Sequence, residues 1–184
     1  MYDDIIISGF GGQGIMLMGQ MLAYAGLEEG LNVLWIPSYG PEMRGGSANC
    51  TVIISDDEIG SPVISHPRNL ILMNQPSVDR FEKTLMPGGL LLYNSSMVNR
   101  KPERTDVKLL EVDATNAAHD IGNRRVANII VLGAFLAANP VVGEDTIKKL
   151  IEYQFKKKEE LIRINVQAFE KGYELGKEGL KINT

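Results

Sequence analysis

The first 112 residues alternate short apolar runs with segments whose apolar residues recur at helical spacing. Short aliphatic and β-branched runs are typical of strands buried on both faces of a parallel sheet. They predict strands over residues 4–8, 32–36, 48–55, 69–73, 90–93 and 107–112, and helices over residues 12–29 and 77–85. Pro37 is expected to end the second strand, since proline cannot donate to a sheet. This order predicts an α/β, Rossmann-like domain with a mostly parallel sheet flanked by helices and right-handed crossovers.

From Ala114 onward the pattern becomes helical, which predicts a helical C-terminal third. Residues 126–138 are apolar on nearly every side, as expected of a helix packed in an interior. Residues 156–160, three lysines followed by two glutamates, form either a docking patch or a solvated helix face. The second interpretation is simpler and predicts i,i+4 pairs such as Lys156–Glu160. We find no repeat and no linker, so we expect one domain over residues 1–184.

Composition and charge exclude several classes of protein. The chain has 184 residues, of which 44% are hydrophobic, and a formal net charge of −4. The apolar fraction is too high for a disordered chain, and no basic surplus exists for binding nucleic acid. No apolar run reaches the roughly 18 residues that a membrane-spanning helix needs. Asp3 and Asp4 stand where an export signal has basic residues, so we expect a cytoplasmic protein.

A single cysteine, Cys50, limits the chemistry that this chain can perform. One thiolate cannot form an internal disulfide or supply the ligands of an iron–sulfur cluster. Cys50 lies in an apolar predicted strand without a basic neighbour, so we expect an unreactive thiol. His66 and His119 lie apart from any Asp or Cys pattern. The sequence therefore indicates no catalytic residue and no metal ligand.

A glycine-rich segment follows the first predicted strand and opens the first predicted helix. Its Gly9, Gly11 and Gly14 satisfy the G-x-G-x-x-G pattern, with Gly12 and Gln13 between them. In such a loop the glycines permit a tight turn, close approach of a ligand to the backbone, and packing of helix on strand. The unpaired N–H groups of the helix N-terminus favour a phosphate or carboxylate.

Three interpretations of this loop remain open. A dinucleotide site needs an acidic residue at the end of the second strand, but residues 35–38 contain none and Glu42 lies in the following loop. A stand-alone protein binding NAD or FAD is therefore an alternative that the sequence does not favour. The glycines could also serve packing alone. The interpretation that we favour is a different ligand bearing a phosphate or carboxylate.

A second glycine-rich loop follows the second predicted strand. It begins with Tyr39 and contains Glu42, Arg44 and Gly45 between Gly40 and Gly46. Ligands of open α/β sheets bind at the carboxyl ends of strands, so we expect the two loops to face one crevice. A guanidinium can hold a carboxylate or phosphate through two hydrogen bonds. The alternative is that Glu42 and Arg44 only pair with each other or lie in solvent.

Polar side chains elsewhere are weaker candidates. Asn74 and Asn94 each follow a later strand and could line the same crevice. Asn123 is a candidate helix cap. The arginines that follow it, Arg124 and Arg125, contact either a partner or solvent.

The two loops together resemble the gamma subunit of 2-oxoacid:ferredoxin oxidoreductases. The resemblance is carried by residues 9–14 (Gly-Phe-Gly-Gly-Gln-Gly) and by residues 39–46 (Tyr-Gly-Pro-Glu-Met-Arg-Gly-Gly), of which the second is the specific part. Residues 128–134 and 165–172 are also similar to the family. The resemblance covers almost the whole chain. Within the family, the corresponding subunit of indolepyruvate oxidoreductase is an alternative to the pyruvate, ketoisovalerate and 2-oxoglutarate enzymes.

The resemblance implies a role inside a multisubunit enzyme. Such enzymes decarboxylate a 2-oxoacid on thiamine diphosphate and Mg²⁺, pass electrons through [4Fe-4S] clusters to ferredoxin, and release an acyl-CoA. This chain lacks a Gly-Asp-Gly…Asn-Asn thiamine motif and the cysteines of a cluster. The resemblance therefore places these cofactors on alpha and beta subunits and a ferredoxin-type delta subunit, and implies that the isolated chain is inactive.

The resemblance also suggests what the two loops contact. It associates this domain with binding CoA and covering the active site. The candidate ligand contacts, to CoA or to the substrate, are Gly9, Gly11, Gly12, Gln13, Gly14, Tyr39, Glu42, Arg44 and Gly45. A chain of this size slightly favours 2-oxoglutarate or branched-chain substrates over pyruvate.

Overall fold

The computed structural model describes residues 1–39 and 46–182. Six strands form one sheet: β1 (Tyr2–Phe10), β2 (Asn32–Tyr39), β3 (Ser47–Ser55), β4 (Asn69–Leu72), β5 (Leu90–Asn94) and β6 (Lys108–Val112). Six α-helices accompany it: α1 (Ile15–Glu28), α2 (Gln75–Phe81), α3 (Ala114–Asp120), α4 (Ala127–Ala138), α5 (Glu144–Gln154) and α6 (Glu159–Ile182). The predicted α/β class, the mostly parallel sheet and the helical C-terminal segment are confirmed.

The strand order is β2-β3-β1-β4-β5-β6. Strands β1, β4, β5 and β6 are parallel, whereas β3 runs antiparallel to both of its neighbours. In a dinucleotide-binding Rossmann sheet the second strand lies beside the first. Here β3 separates them, so the end of β2 lies two strand spacings, about 10 Å, from the end of β1.

The strand register brings three segments to one edge of the sheet. Ala48 of β3 lies opposite Gly9 of β1 on one side and opposite Tyr39 of β2 on the other. Because β3 is antiparallel, it begins where β1 and β2 end. The glycine loop after β1 and the loop between β2 and β3 therefore leave the sheet at the same edge, as the sequence predicted.

Several predicted element boundaries are wrong, including those of the helix predicted over 77–85, which spans Gln75–Phe81, and two of the errors have identifiable reasons. Helix α1 begins at Ile15 rather than at residue 12, because Gly12 and Gly14 have φ values of 99° and 75°, outside the right-handed helical region. Strand β2 continues through Pro37 to Tyr39. It is an edge strand with one neighbour, where a residue without an N–H is tolerated.

The predicted pairing of Lys156 with Glu160 on one helix is also wrong. Helix α5 ends at Gln154 and α6 begins at Glu159, so the two residues do not share a helix. Lys156 instead places its Nζ 4.6 Å from the ring centroid of Tyr153. This contact places a lysine at the C-terminal end of α5.

The sheet separates two apolar layers. Ile5 and Ile7 of β1 face the larger layer, which contains α1, α4 and α6, while Ile6 faces the smaller one around α2. This alternation follows from the two-residue period of a strand. Helix α4 is buried on nearly all sides, as predicted. No helix within the two described ranges is both long and apolar enough to cross a membrane.

Candidate functional site

The site is built from the glycine loop between β1 and α1. The backbone N–H of Gly11 donates to the carbonyl of Gly46 at 2.9 Å, and Gly46 immediately precedes β3. This bond joins the glycine loop to the base of the second loop. The two predicted loops are therefore brought together where they leave the sheet.

Gln13 folds back into the loop that carries it. Its Oε1 accepts from the backbone N–H of Phe10 at 2.6 Å and from Nδ2 of Asn74 at 3.1 Å. Its Nε2 donates to the carbonyl of Met73 at 3.3 Å. The side chain thus ties the end of β1 to the end of β4. Gln13 therefore positions the loop, and its predicted role as a ligand contact stays a prediction.

The glycines of the loop meet different requirements. A Cβ on Gly9 would lie 2.6 Å from Oε1 of Gln13 and 2.9 Å from Cβ of Met73, so close packing demands glycine there. A Cβ on Gly14 would lie 2.3 Å from Nδ2 of Asn128, and Gly14 also has a positive φ. Gly12 has a positive φ, and a Cβ there would meet no described atom within 4 Å, so among the described residues its backbone conformation is what favours glycine.

The N-terminus of α1 has the properties of an anion site. Gly14 is its N-cap residue, and no side chain of residues 1–38 or 46–180 caps the helix. The first-turn N–H groups of a helix have no partner inside the helix, and the helix dipole adds positive charge there. The N–H of Met18 donates to the carbonyl of Gly14 at 3.1 Å, and it is the first N–H group that is hydrogen-bonded within the helix. The turn therefore carries the backbone donors that a phosphate or a carboxylate would need.

Asn128, in the first turn of α4, belongs to a segment that resembles the family, but the sequence analysis did not predict it as part of this site. It is 3% exposed, and its Nδ2 donates to the carbonyl of Gly14 at 3.4 Å. Its Oδ1 is buried and has no hydrogen-bond partner among the described residues. The 3₁₀ turn just before α4 carries the exposed Arg124 and Arg125. The N-termini of α1 and α4 thus adjoin each other at the glycine loop.

The other polar residues at this edge mainly hold the backbone. Oδ1 of Asn74 accepts from the N–H of Ser77 at 3.0 Å and caps α2, and Oδ1 of Asn94 accepts from the N–H of Ala114 at 3.2 Å. Asn123, the predicted cap of the buried helix, instead caps the 3₁₀ turn before it by accepting from the N–H of Arg125 at 3.0 Å, and the N-cap residue of α4 is Val126. The buried Oγ atoms of Ser8 and Ser77 lie 2.9 Å apart, a pairing that sequence spacing does not reveal.

Part of the predicted site lies outside the described residues. Glu42, Arg44 and Gly45 fall between the two ranges, and of Tyr39 only the backbone is described, as the last residue of β2. Their roles as ligand contacts stay predictions.

Cys50 lies beneath the site in β3. It is fully buried, and burial raises the pKa of its thiol to about 11. Its Sγ approaches the carbonyl of Ile15 at 3.7 Å. Within the described part of the chain, no group of three or more His, Cys, Asp or Glu residues could hold a metal ion. What the described part of the site presents is backbone N–H groups of the glycine loop together with the amide side chains of Gln13, Asn74 and Asn128.

The chain is similar to known proteins along nearly its whole length. Residues 4–175 match the pyruvate ferredoxin/flavodoxin oxidoreductase family. Subunit VorA of ketoisovalerate oxidoreductase from Methanothermobacter thermautotrophicus is 37% identical over 95% of this chain, which is 36% of that protein. Subunit KorC of 2-oxoglutarate synthase from Methanocaldococcus jannaschii is 35% identical over 97% of this chain and 96% of its own length.

A solved structure shows the same fold. The gamma subunit of a keto/oxoacid ferredoxin oxidoreductase from Geobacter sulfurreducens superimposes with a TM-score of 0.81 at 32% identity, covering 95% of this chain and 98% of that one. The resemblance carried by the two loops is thus confirmed. The chain belongs to the pyruvate ferredoxin/flavodoxin oxidoreductase family and is of its gamma type.

Proposed function

We propose that this chain is the gamma-type subunit of a multisubunit 2-oxoacid:ferredoxin oxidoreductase. The enzyme oxidatively decarboxylates a 2-oxoacid to an acyl-CoA and reduces ferredoxin. Its alpha, beta and ferredoxin-type delta subunits carry thiamine diphosphate, Mg²⁺ and the [4Fe-4S] clusters. This chain contributes a surface that binds CoA or the substrate. The observation that carries the proposal is the end-to-end match to gamma-type subunits.

The residues present do not fit the redox cofactors. A [4Fe-4S] cluster is held by four cysteine thiolates, and this chain has one cysteine. That cysteine is buried, and its raised thiol pKa disfavours the thiolate that ligation requires. Electron transfer is therefore assigned to partner subunits.

The glycine loop fits an anionic group such as a CoA phosphate or the substrate carboxylate. The backbone N–H groups of Gly12 and Gly14 and the first turn of α1 would hold it, and Arg44 would pair with its charge. CoA supplies the thiol that accepts the acyl group. Gln13 fixes the loop to Met73 at the end of β4, and Asn128 fixes it from the first turn of α4. Tyr39, Glu42 and Gly45 complete the surface from the second loop.

The strand order disfavours the alternative of a stand-alone NAD-binding protein. A dinucleotide spans from the glycine loop to an acidic residue at the end of the adjacent strand. Here the adjacent strand on that side is the antiparallel β3, which begins at this edge with Ser47. The end of β2 is one strand further away and reads Pro37-Ser38-Tyr39, without a carboxylate.

Kinetics of the assembled enzyme test the role of Arg44. We expect Arg44→Ala to raise the KM for CoA or for the 2-oxoacid about tenfold or more, since charged hydrogen bonds contribute about 1.5–3 kcal/mol. Arg44→Lys should restore part of the loss. Arg163→Ala removes an exposed arginine from α6 and is the matched control. An assembled Arg44→Ala enzyme with both KM values unchanged would contradict the binding role.

The same assembled enzyme tests which 2-oxoacid is the substrate. We expect 2-oxoglutarate or a branched-chain 2-oxoacid to give a higher kcat/KM than pyruvate or indolepyruvate. The names of the ketoisovalerate and 2-oxoglutarate relatives support this order. Reduction of ferredoxin with each 2-oxoacid in turn measures it. A preference for indolepyruvate would instead favour the corresponding subunit of that enzyme.

A further inference from the structure

Asn128 presents an unsatisfied hydrogen-bond acceptor at the start of α1. The residue is 3% exposed, and its side-chain Oδ1 accepts no hydrogen bond from a described residue. Within the described ranges it is one of two buried side-chain N or O atoms without a partner, the other being Nε1 of Trp35. Native proteins rarely leave a buried polar group unpaired, so each such group calls for an explanation.

The amide group of Asn128 lies against the N-cap residue of α1. A Cβ on Gly14 would lie 2.6 Å from Cγ of Asn128 and 2.3 Å from its Nδ2. Oδ1 is bonded to the same Cγ, so it lies at the same helix terminus. Because Nδ2 donates to the carbonyl of Gly14, the amide cannot turn over without losing that bond. The acceptor is therefore fixed beside the backbone donors of the glycine loop.

The groups around this acceptor favour an anion. The first-turn N–H groups of α1 have no partner inside the helix, and the dipoles of α1 and α4 add positive charge at their N-termini. Arg124 and Arg125, just before α4, are exposed and form no ion pair with a described residue. An anionic group alone would still leave Oδ1 unsatisfied, because ionised carboxylates and phosphates supply acceptors. The arrangement therefore suits a ligand that has an anionic group and a separate N–H or O–H donor.

The two ligands in the proposed function differ in this respect. CoA carries phosphates, amide N–H groups in its pantetheine arm, and hydroxyl groups. An ionised 2-oxoglutarate or branched-chain 2-oxoacid carries acceptor oxygens and no donor. The unpaired Oδ1 of Asn128 therefore favours CoA over the 2-oxoacid as the ligand of the glycine loop.

We propose that Asn128 is a further binding residue of this site, whose Oδ1 accepts a hydrogen bond from an N–H or O–H group of CoA. The glycine loop and the first turn of α1 hold a phosphate of the same molecule. Nδ2 keeps its bond to Gly14, so one side chain positions the loop and contacts the ligand. This rests on the proposed function, which supplies CoA. It adds Asn128 to the binding residues and makes it a determinant of specificity, since a site built to hydrogen-bond a ligand group rejects analogues without that group.

Binding of CoA to the assembled enzyme tests the proposal. Asn128→Leu removes both polar atoms at similar volume, and Asn128→Asp places a negative charge beside the phosphate. A carboxylate in the first turn stabilises a helix, so Asn128→Asp should fold even if Asn128→Leu does not. Asn139→Leu is the matched control, because Asn139 lies at the other end of α4. Isothermal titration calorimetry measures the Kd for CoA, and ferredoxin reduction measures the KM for the 2-oxoacid.

We expect Asn128→Leu to raise the Kd for CoA about tenfold and Asn128→Asp to raise it further, because a hydrogen bond is lost and then a like charge is added. The KM for the 2-oxoacid should stay at the wild-type value in both variants. Asn139→Leu should leave both constants unchanged. Phosphopantetheine, which lacks the adenosine part of CoA, identifies the donor: an equal loss of its binding assigns the pantetheine amides, and a loss with CoA alone assigns the nucleotide.

An unchanged Kd for CoA in Asn128→Leu, or in Asn128→Asp if only that variant folds, would overturn the proposal and leave Oδ1 to an ordered water. A raised KM for the 2-oxoacid with an unchanged Kd for CoA would overturn it too, because the ligand without a donor would then occupy the loop. Both outcomes leave the proposed function standing while the wild-type complex reduces ferredoxin. A wild-type complex without that activity would contradict the proposed function itself.

Discussion

A Cβ atom placed on Gly172 of α6 would lie 1.9 Å from the carbonyl oxygen of Ile130 of α4. One turn away in α4, a Cβ on Gly133 would lie 2.2 Å from the carbonyl oxygen of Phe169 of α6. The two helices therefore meet backbone to backbone. This contact holds the C-terminal helix against α4, whose first turn supports the glycine loop through Asn128.

We expect Gly172→Ala to lower the free energy of unfolding by about 1–3 kcal/mol or more, since an added methyl group would force the helices apart. Helix propensity alone predicts the opposite, a gain of about 1 kcal/mol. Urea unfolding decides between them. Gly60→Ala is the control, because a Cβ there meets nothing within 4 Å. A Gly172→Ala protein as stable as wild type would show that α4 and α6 do not approach this closely.

Gly14 is expected to tolerate alanine less well than Gly12. Both have a positive φ, which costs an L-residue roughly 1 kcal/mol or more. Only at Gly14 would the new Cβ also meet Asn128. Gly14→Ala should therefore lower the free energy of unfolding by more than Gly12→Ala does. Adding Asn128→Ala should reduce this difference, and equal losses at the two glycines would argue against the contact.

Asp4 should make stability depend on pH. Asp4 is 5% exposed, and burial raises the pKa of its carboxyl group above the ordinary value. The folded state therefore holds this proton at a pH where the unfolded state has lost it, so the contribution of Asp4 to stability falls as pH rises through this window. We expect Asp4→Asn to be the more stable protein near pH 7, since an amide oxygen can still accept from the N–H of Arg68.

Urea unfolding at several pH values between 4 and 8 measures the effect. The advantage of Asp4→Asn over wild type should shrink as the pH falls and Asp4 becomes protonated. Asp57→Asn removes an exposed carboxylate and serves as the control. An advantage that stays constant, or grows toward acid pH, would contradict a raised pKa at Asp4.

Cys50 should resist alkylation in the folded chain. At pH 8 a thiol whose pKa is raised from 9.0 to about 11 has about 100-fold less thiolate, and burial blocks the reagent as well. Iodoacetamide labelling followed by mass spectrometry should be at least about 100-fold slower in the native chain than in guanidinium. Comparable rates in the two states would contradict the buried position of the thiol.

The local pattern of apolar residues predicted the type and approximate position of the strands and of the buried helix. The aliphatic runs marked every strand, and the apolar segment at 126–138 became the buried helix α4. The pairing of the strands could not be predicted in the same way, because an apolar run does not reveal which strand lies beside it. Residues 48–55 were predicted as a strand, but the insertion of β3 between β1 and β2 depends on long-range register.

For the site, too, the local features were predicted from the sequence and the long-range contacts were not. The pattern of glycines predicted a loop at a helix start, and the shared edge of the sheet was predicted from strand direction. Spacing could not show that Gln13 turns back to hold Phe10 and Met73. It could not find Asn128 either, since this residue reaches Gly14 across 114 positions of sequence.

The central claim is that this chain needs companion subunits for its activity. CoA-dependent reduction of ferredoxin by a 2-oxoacid, measured first with the purified chain and then with the co-expressed complex, tests it most directly. We predict no turnover by the chain alone and robust turnover by the complex. Turnover by the homogeneous chain without any other subunit would contradict the account.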